Sequence, residues 1–143
     1  IPIFSDILEG HLGPLAGIHA SLIWSIKNNP DHQWVVTFAG DTPFFPNNIV
    51  KKLYDKATME NNKIVLARSF ERNHPVFGIW HISLLEDLEK SINNKIRKID
   101  QWAKNHFFKV LSFDNYEYDP FFNVNNHKDL IKAAKIETQF FNK

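Results

Sequence analysis

"QWVVTFAGDTPFFP", residues 33–46, changes character half-way along. Trp34 to Phe38 form a β-branched and aromatic run bounded by polar turn residues and by Gly40, the pattern of a buried strand. Asp41 follows directly, and Pro43 and Pro46 restrict the chain beyond it. In open α/β sheets ligands gather outside the carboxyl ends of strands, which is where this carboxylate stands. An aspartate in the same place also forms turns or caps the next helix. On this stretch alone both readings are open.

Outward from it, strand-like and helix-like stretches alternate. Upstream, "DILEGHLGPLAG" (6–17) supplies three glycines and a proline and reads as a loop, and "IHASLIWSIKNN" (18–29) has helical apolar spacing. Downstream, "PNNIVKKLYDKATMEN" (46–61) predicts a helix with Pro46 near its start and Ile49, Leu53 and Ala57 on one face. "KIVLARS" (63–69) and "HPVFGIWHI" (74–82) read as strands joined by "FERN" in a hairpin-like connection. Helices follow at 83–92 and 95–106, then a strand at 107–113, a loop at 114–126 and a helix at 127–141. The alternation predicts an α/β fold with a mostly parallel sheet and one antiparallel strand.

The 143 residues suit one domain, 1–143, and a 43% hydrophobic content is enough for a packed core. Seventeen basic residues against sixteen acidic ones argue against wholesale binding to nucleic acid or to an anionic membrane, so any phosphate binding is local. No run of basic residues interleaved with exposed aromatics suggests a nucleic-acid partner. The absence of cysteine excludes disulfides, thiolate metal sites and cysteine nucleophiles, and fits a reducing compartment such as the cytoplasm. No stretch of about 18 apolar residues suggests a membrane span. The first residues, "IPIF", look like a strand end cut from something longer.

Four stretches carry a family resemblance: "GPLAGIHASL" (13–22), "FAGDTPFFP" (38–46), "NHPVFGIW" (73–80) and "DPFFNVNNHKDL" (119–130). In this order they resemble the molybdenum cofactor guanylyltransferases, the MobA family, and "IRKIDQWAKNH" (96–106) looks like the helix that family places before its last core strand. Cytidylyl and sugar-phosphate nucleotidyltransferases share the strand-then-aspartate arrangement, but "FFNVN" favours the molybdopterin branch. The resemblance implies a Rossmann-like three-layer nucleotidyltransferase fold. It also implies a magnesium-dependent transfer of GMP from GTP to the phosphate of the molybdopterin cofactor, with release of pyrophosphate.

On that resemblance Asp41 matches the metal-binding aspartate. Magnesium takes one or two protein carboxylates and fills its other positions with water and substrate phosphates. Asp6, seven residues before Gly13, matches a nucleotide-contacting aspartate, with an exposed turn acid as the alternative. Gly13 and Gly17 offer a close backbone approach at a helix N-terminus that favours an anion, or simply punctuate a turn. Asn123 and Asn125 align with paired asparagines on the molybdopterin side. In an extended segment both point to one face, where their amides donate and accept; capping the last helix is the competing role, which Asn126 fills more simply. Arg97 and Lys98 match a basic pair able to meet the cofactor's phosphate, or belong to a charged helix face. The seven histidines are too scattered for a metal site, His74 is assigned to the cleft wall, and the tryptophans are assigned to the core.

The family's glycine-rich loop, LAGGxSxRMGxxK, does not occur in these residues. In such a loop backbone N–H groups cradle phosphates and a lysine offsets their charge. The expectation is therefore a C-terminal portion with the N-terminal strands missing, inactive alone and completed by an upstream segment or a second chain. The alternatives are a non-catalytic module that keeps the molybdopterin-side surface, and a portion of a related cytidylyltransferase.

Overall fold

The computed structural model describes residues 13–141. Four strands form one sheet: β1 (Trp34–Thr37), β2 (Ile64–Ser69), β3 (Arg72–His81) and β4 (Lys109–Ser112), in the order β1-β3-β2-β4. β3 is antiparallel to both β1 and β2, whereas β4 is parallel to β2. The expected single reversed strand is thus β3. It lies inside the sheet, so two of its three ladders are antiparallel and the sheet is mixed and, by pairing, mostly antiparallel. Strand direction can be inferred from connection lengths, but strand order cannot, and here the order corrects the mostly parallel expectation.

Alternation along β2 divides the core in two. Ile64 and Leu66 face α1 (Pro14–Asn28), α3 (Leu85–Asn93) and α4 (Ile99–Lys104), joining Leu15, Leu22, Leu88, Trp80 and Trp102. Val65 and Ala67 face α2 (Ile49–Met59) and the segment after β4, joining Leu53, Phe77, Phe113 and Phe121. The result is three layers around one sheet, with Ile49, Leu53 and Ala57 buried as the helical spacing predicts. Gly78 lets the Trp80 ring lie close to the sheet, since a Cβ there would stand 2.8 Å from that ring and 2.9 Å from Leu66. Trp80 stacks on Trp102 at 5.6 Å, and its indole N–H donates to Thr37 Oγ1 at 3.0 Å.

Two boundaries differ from the sequence reading. α1 begins at Pro14, so Gly17 lies within the helix instead of in a loop, and Gly13 is the N-cap with φ of 68°. The stretch 95–106 is helical only from Ile99. α3 ends in a Schellman turn in which Lys95 takes φ of 65°, its N–H reaching Ile92 O and that of Ile96 reaching Ser91 O. That stop sets Arg97 and Lys98 in a non-helical approach to α4. At the chain's far end α5 (His127–Ile136) is capped by Asn126, whose side chain accepts from the N–H of Asp129 at 3.0 Å. None of the described helices is long and apolar enough to cross a membrane.

Candidate functional site

Asp41 lies in the turn after β1, half-buried, four residues beyond Thr37. It caps no helix, because α2 begins after Asn48. Among the described residues no basic side chain pairs with it, and its carboxylate meets only the Thr42 hydroxyl, at a long 3.4 Å. The shorter contact of that hydroxyl, 3.1 Å, is to Asn123 Oδ1, and a hydroxyl has one proton to give. A backbone bond from Val124 N–H to Asp41 O, 2.8 Å long, fastens the two segments together. The sequence-predicted acid and the first of the paired asparagines therefore share a corner of the molecule. The donors at that corner, a carboxylate and an amide oxygen, are hard oxygen ligands of the kind magnesium takes. Among the described residues no group of three or more histidine, aspartate or glutamate side chains gathers as a ready-made metal site.

Beside this corner opens a cavity of about 410 Å³, lined by Asn123, Asn125, Arg72, His74 and Asp119 over an apolar wall that includes Phe77 and Phe121. Asn123 and Asn125 both line it, together with Phe121 and Phe122. Asn126 takes the capping role, which leaves its two neighbours available. Asn125 is held through its backbone N–H, which reaches Asp129 Oδ2 at 3.3 Å.

Arg72, Asn73 and Asp119 were not singled out in the sequence, although each adjoins or lies within a quoted stretch. Arg72 sits in "FERN", where a hairpin connection was the natural reading, but the turn is only Phe70–Glu71 and Arg72 already belongs to β3. His74 does line the wall. Its Nε2 is 2.7 Å from the hydroxyl of Ser69, and its ring stacks on Phe121 with centroids 4.5 Å apart. Burial holds the His74 imidazole below its ordinary titration range; the nearby Asp119 opposes that shift and Arg72 adds to it. Asn73 Oδ1 is buried in the cavity wall without a hydrogen-bond partner among the described residues.

The remaining candidates are elsewhere. Gly13 lies at the start of α1, where a Cβ would come 3.7 Å from Arg97 O. A second cleft runs beside that start, between Pro14, Gly17 and Ser21 on α1 and Val36, Thr37 and Phe38 at the end of β1 and just beyond it. Val76 on β3 borders both cavities. Arg97 donates to Ile92 O at 2.7 Å and Ile96 O at 3.0 Å, spending its guanidinium on the end of α3, and neither it nor Lys98 lines the cavity of Asn123 and Asn125. Arg72 is the cationic side chain in that lining. Asp6 lies outside the described residues.

Residues 1–107 match the family described as the MobA-like NTP transferase domain. The chain belongs to that family. As a MobA-like NTP transferase domain it is 36% identical over 137 residues to the molybdenum cofactor guanylyltransferase of Nitrobacter hamburgensis, covering 95% of this chain and 66% of that protein. It is 32% identical to the protein of the same name from Rhodopseudomonas palustris strain BisB5, with 95% and 65% covered. The chain thus spans about 65% of the length of such relatives. Among solved structures, molybdopterin-guanine dinucleotide biosynthesis protein A from Archaeoglobus fulgidus superposes with a TM-score of 0.70 at 25% identity, covering 90% of this chain and 64% of that one. The synthase of 4-diphosphocytidyl-2C-methyl-D-erythritol from Anaerococcus prevotii superposes at 0.61 with 14% identity, a likeness of fold alone.

Proposed function

We propose that this MobA-like domain carries the metal-binding and acceptor-binding parts of a molybdenum cofactor guanylyltransferase, which moves GMP from GTP to the phosphate of molybdopterin and releases pyrophosphate. The supporting observation is the fastening of Asp41 to Val124 and of Thr42 to Asn123 beside a cavity lined by Asn123 and Asn125. On this reading Asp41 holds a magnesium ion, whose chemistry is to neutralise triphosphate charge and favour in-line displacement. Asn123 and Asn125 orient the acceptor, and Arg72 meets its phosphate by charge-assisted hydrogen bonding. Gly13 and the start of α1, across Val76, form the nucleotide side, and Asp6 keeps the nucleotide-contacting role that the family resemblance implies. Arg97 acts there structurally, by closing α3, and Lys98 remains the exposed member of the basic pair.

Phosphate cradling by a glycine-rich loop is absent from these 143 residues, so transfer requires such a loop from an upstream segment or a second chain. The chain is expected to form no guanine dinucleotide from GTP, magnesium and molybdopterin by itself, and to do so when a polypeptide bearing the loop is supplied. Asp41→Asn is expected to lower the restored rate by a hundredfold or more, in the range for removing an electrostatic stabiliser, and to weaken Mn²⁺ binding followed by electron paramagnetic resonance. Undiminished Mn²⁺ binding and transfer by the variant would overturn the role of Asp41. Molybdopterin binding with no transfer under any condition would identify a binding module instead.

A further inference from the structure

Ser69, His74 and Asp119 are the three residue types of a hydrolytic triad, but they are connected in a different order. The serine is in the middle: its hydroxyl is 2.7 Å from His74 Nε2 and 2.8 Å from Asp119 Oδ1. It is also only 1% exposed, which removes it as a nucleophile for anything in the cavity. The arrangement nonetheless fixes a chemical state. A carboxylate only accepts, so the single hydroxyl proton of Ser69 goes to Asp119. Ser69 Oγ must then accept from the imidazole, which makes Nε2 the protonated ring nitrogen and leaves a lone pair on Nδ1. Among the described residues Nδ1 has no partner, and His74 lines the cavity. The ring cannot readily swing away, because Phe121 stacks on it with an interplanar angle of 29°, and Asp119 is itself held by the N–H of Phe121 at 3.0 Å.

We infer that His74 Nδ1 accepts a hydrogen bond from the heterocyclic N–H edge of the acceptor substrate, and that Ser69 and Asp119 are positioning residues that select the tautomer making this possible. The inference rests on the proposed acceptor-side role of the cavity. A lone pair repels a phosphate oxygen, so the anionic end of the substrate belongs near Arg72 and the N–H-bearing ring belongs near His74. Phe77 and Phe121 supply an apolar wall suited to a ring face.

The test uses the whole chain, uniformly labelled with ¹⁵N, and 6-hydroxymethylpterin, a pterin without phosphate, as probe. Long-range ¹H–¹⁵N spectra are expected to show the Nε2–H tautomer for His74 and a shift of the Nδ1 resonance on adding the probe. Ser69→Ala removes the acceptor for Nε2–H, so the tautomers should mix and the probe should bind roughly threefold to tenfold more weakly, the span of one net hydrogen bond. Asp119→Asn, whose amide can donate to Ser69 or accept from it, should also reduce the preference, and it serves if Ser69→Ala fails to fold. An Nδ1–H tautomer in the unaltered chain overturns the inference without any variant. A probe that moves the Asn123 and Asn125 amide signals but leaves Nδ1 unmoved overturns the His74 assignment and leaves the acceptor-side reading standing. A probe that moves none of the three overturns that reading, and the assignment with it.

Discussion

His74 shows how a residue's neighbours change what its identity predicts. In the sequence it was one of seven scattered histidines, and only its place before Pro75 assigned it to a wall. Its wiring to Ser69 and Asp119 depends on β2, β3 and the loop after β4 converging, which no local pattern records. A pH effect follows from its lowered titration. The unfolded chain protonates this imidazole near its ordinary 6.5, while the folded chain resists until lower pH. The stability this group contributes is therefore fully present above pH 6.5 and is lost as pH falls through the folded value. His74→Gln is expected to flatten the fall in unfolding free energy below pH 6.5, as measured by urea denaturation at a series of pH values. An equal or steeper fall in the variant would contradict the shift. Asn123 and Asn125 line the cavity while Asn126 caps α5, the division of roles that the sequence offered. For Arg97 the sequence could not show the two carbonyl contacts, because they depend on where α3 stops.

At the scale of elements, helices with a clear apolar stripe were legible and their ends were not. The face of α2 was readable from Ile49, Leu53 and Ala57. The start of α1 was hidden by Gly13 and Gly17, of which only Gly13 has the positive φ that calls for glycine. The β2–β3 hairpin was visible as a hairpin, yet its turn places Phe70 at φ of 45° and Glu71 at 63°, the backbone of a type I′ turn without the usual asparagine and glycine. Asp114 holds the turn by accepting the Phe70 N–H at 2.8 Å. Replacing Phe70–Glu71 by Asn–Gly is expected to stabilise the chain by roughly 1–2 kcal/mol, the strain of left-handed residues relieved. The midpoint of thermal unfolding measures it, and a lowered midpoint would show that Phe70 contributes packing that outweighs the strain.

At the scale of the whole molecule, both core layers are attached to the same two central strands. β2 sends Leu66 to one layer and Val65 to the other, and β3 does the same with Trp80 and Ile79. Unfolding one layer therefore strips one face of a sheet that the other layer needs. Leu53→Ala, which empties a site under α2, is expected to cost about 2–5 kcal/mol, and Trp102→Ala, on the opposite face, about 3–5 kcal/mol. Each should shift a single shared transition seen both by tryptophan fluorescence and by far-ultraviolet circular dichroism; separate transitions for the two probes would refute a common cooperative unit. The α/β class and the hairpin in the middle of the sheet were readable from alternation. The order β1-β3-β2-β4 was not, because neighbours in a sheet are chosen by packing across the whole chain.

The fastening of Asp41 to Val124 gives the two halves of the proposed reaction a common mechanical origin. Thr42 and Asn123, on either side of that bond, stand 81 residues apart in the chain, so the corner exists only when the entire intervening fold is in place. In the proposed reaction, a cation that orders one strap would reduce the entropy still to be lost when an acceptor seats on the other. Thermodynamic reciprocity would then make each ligand an effector of the other: whatever factor the cation adds to acceptor affinity, the acceptor returns to the cation.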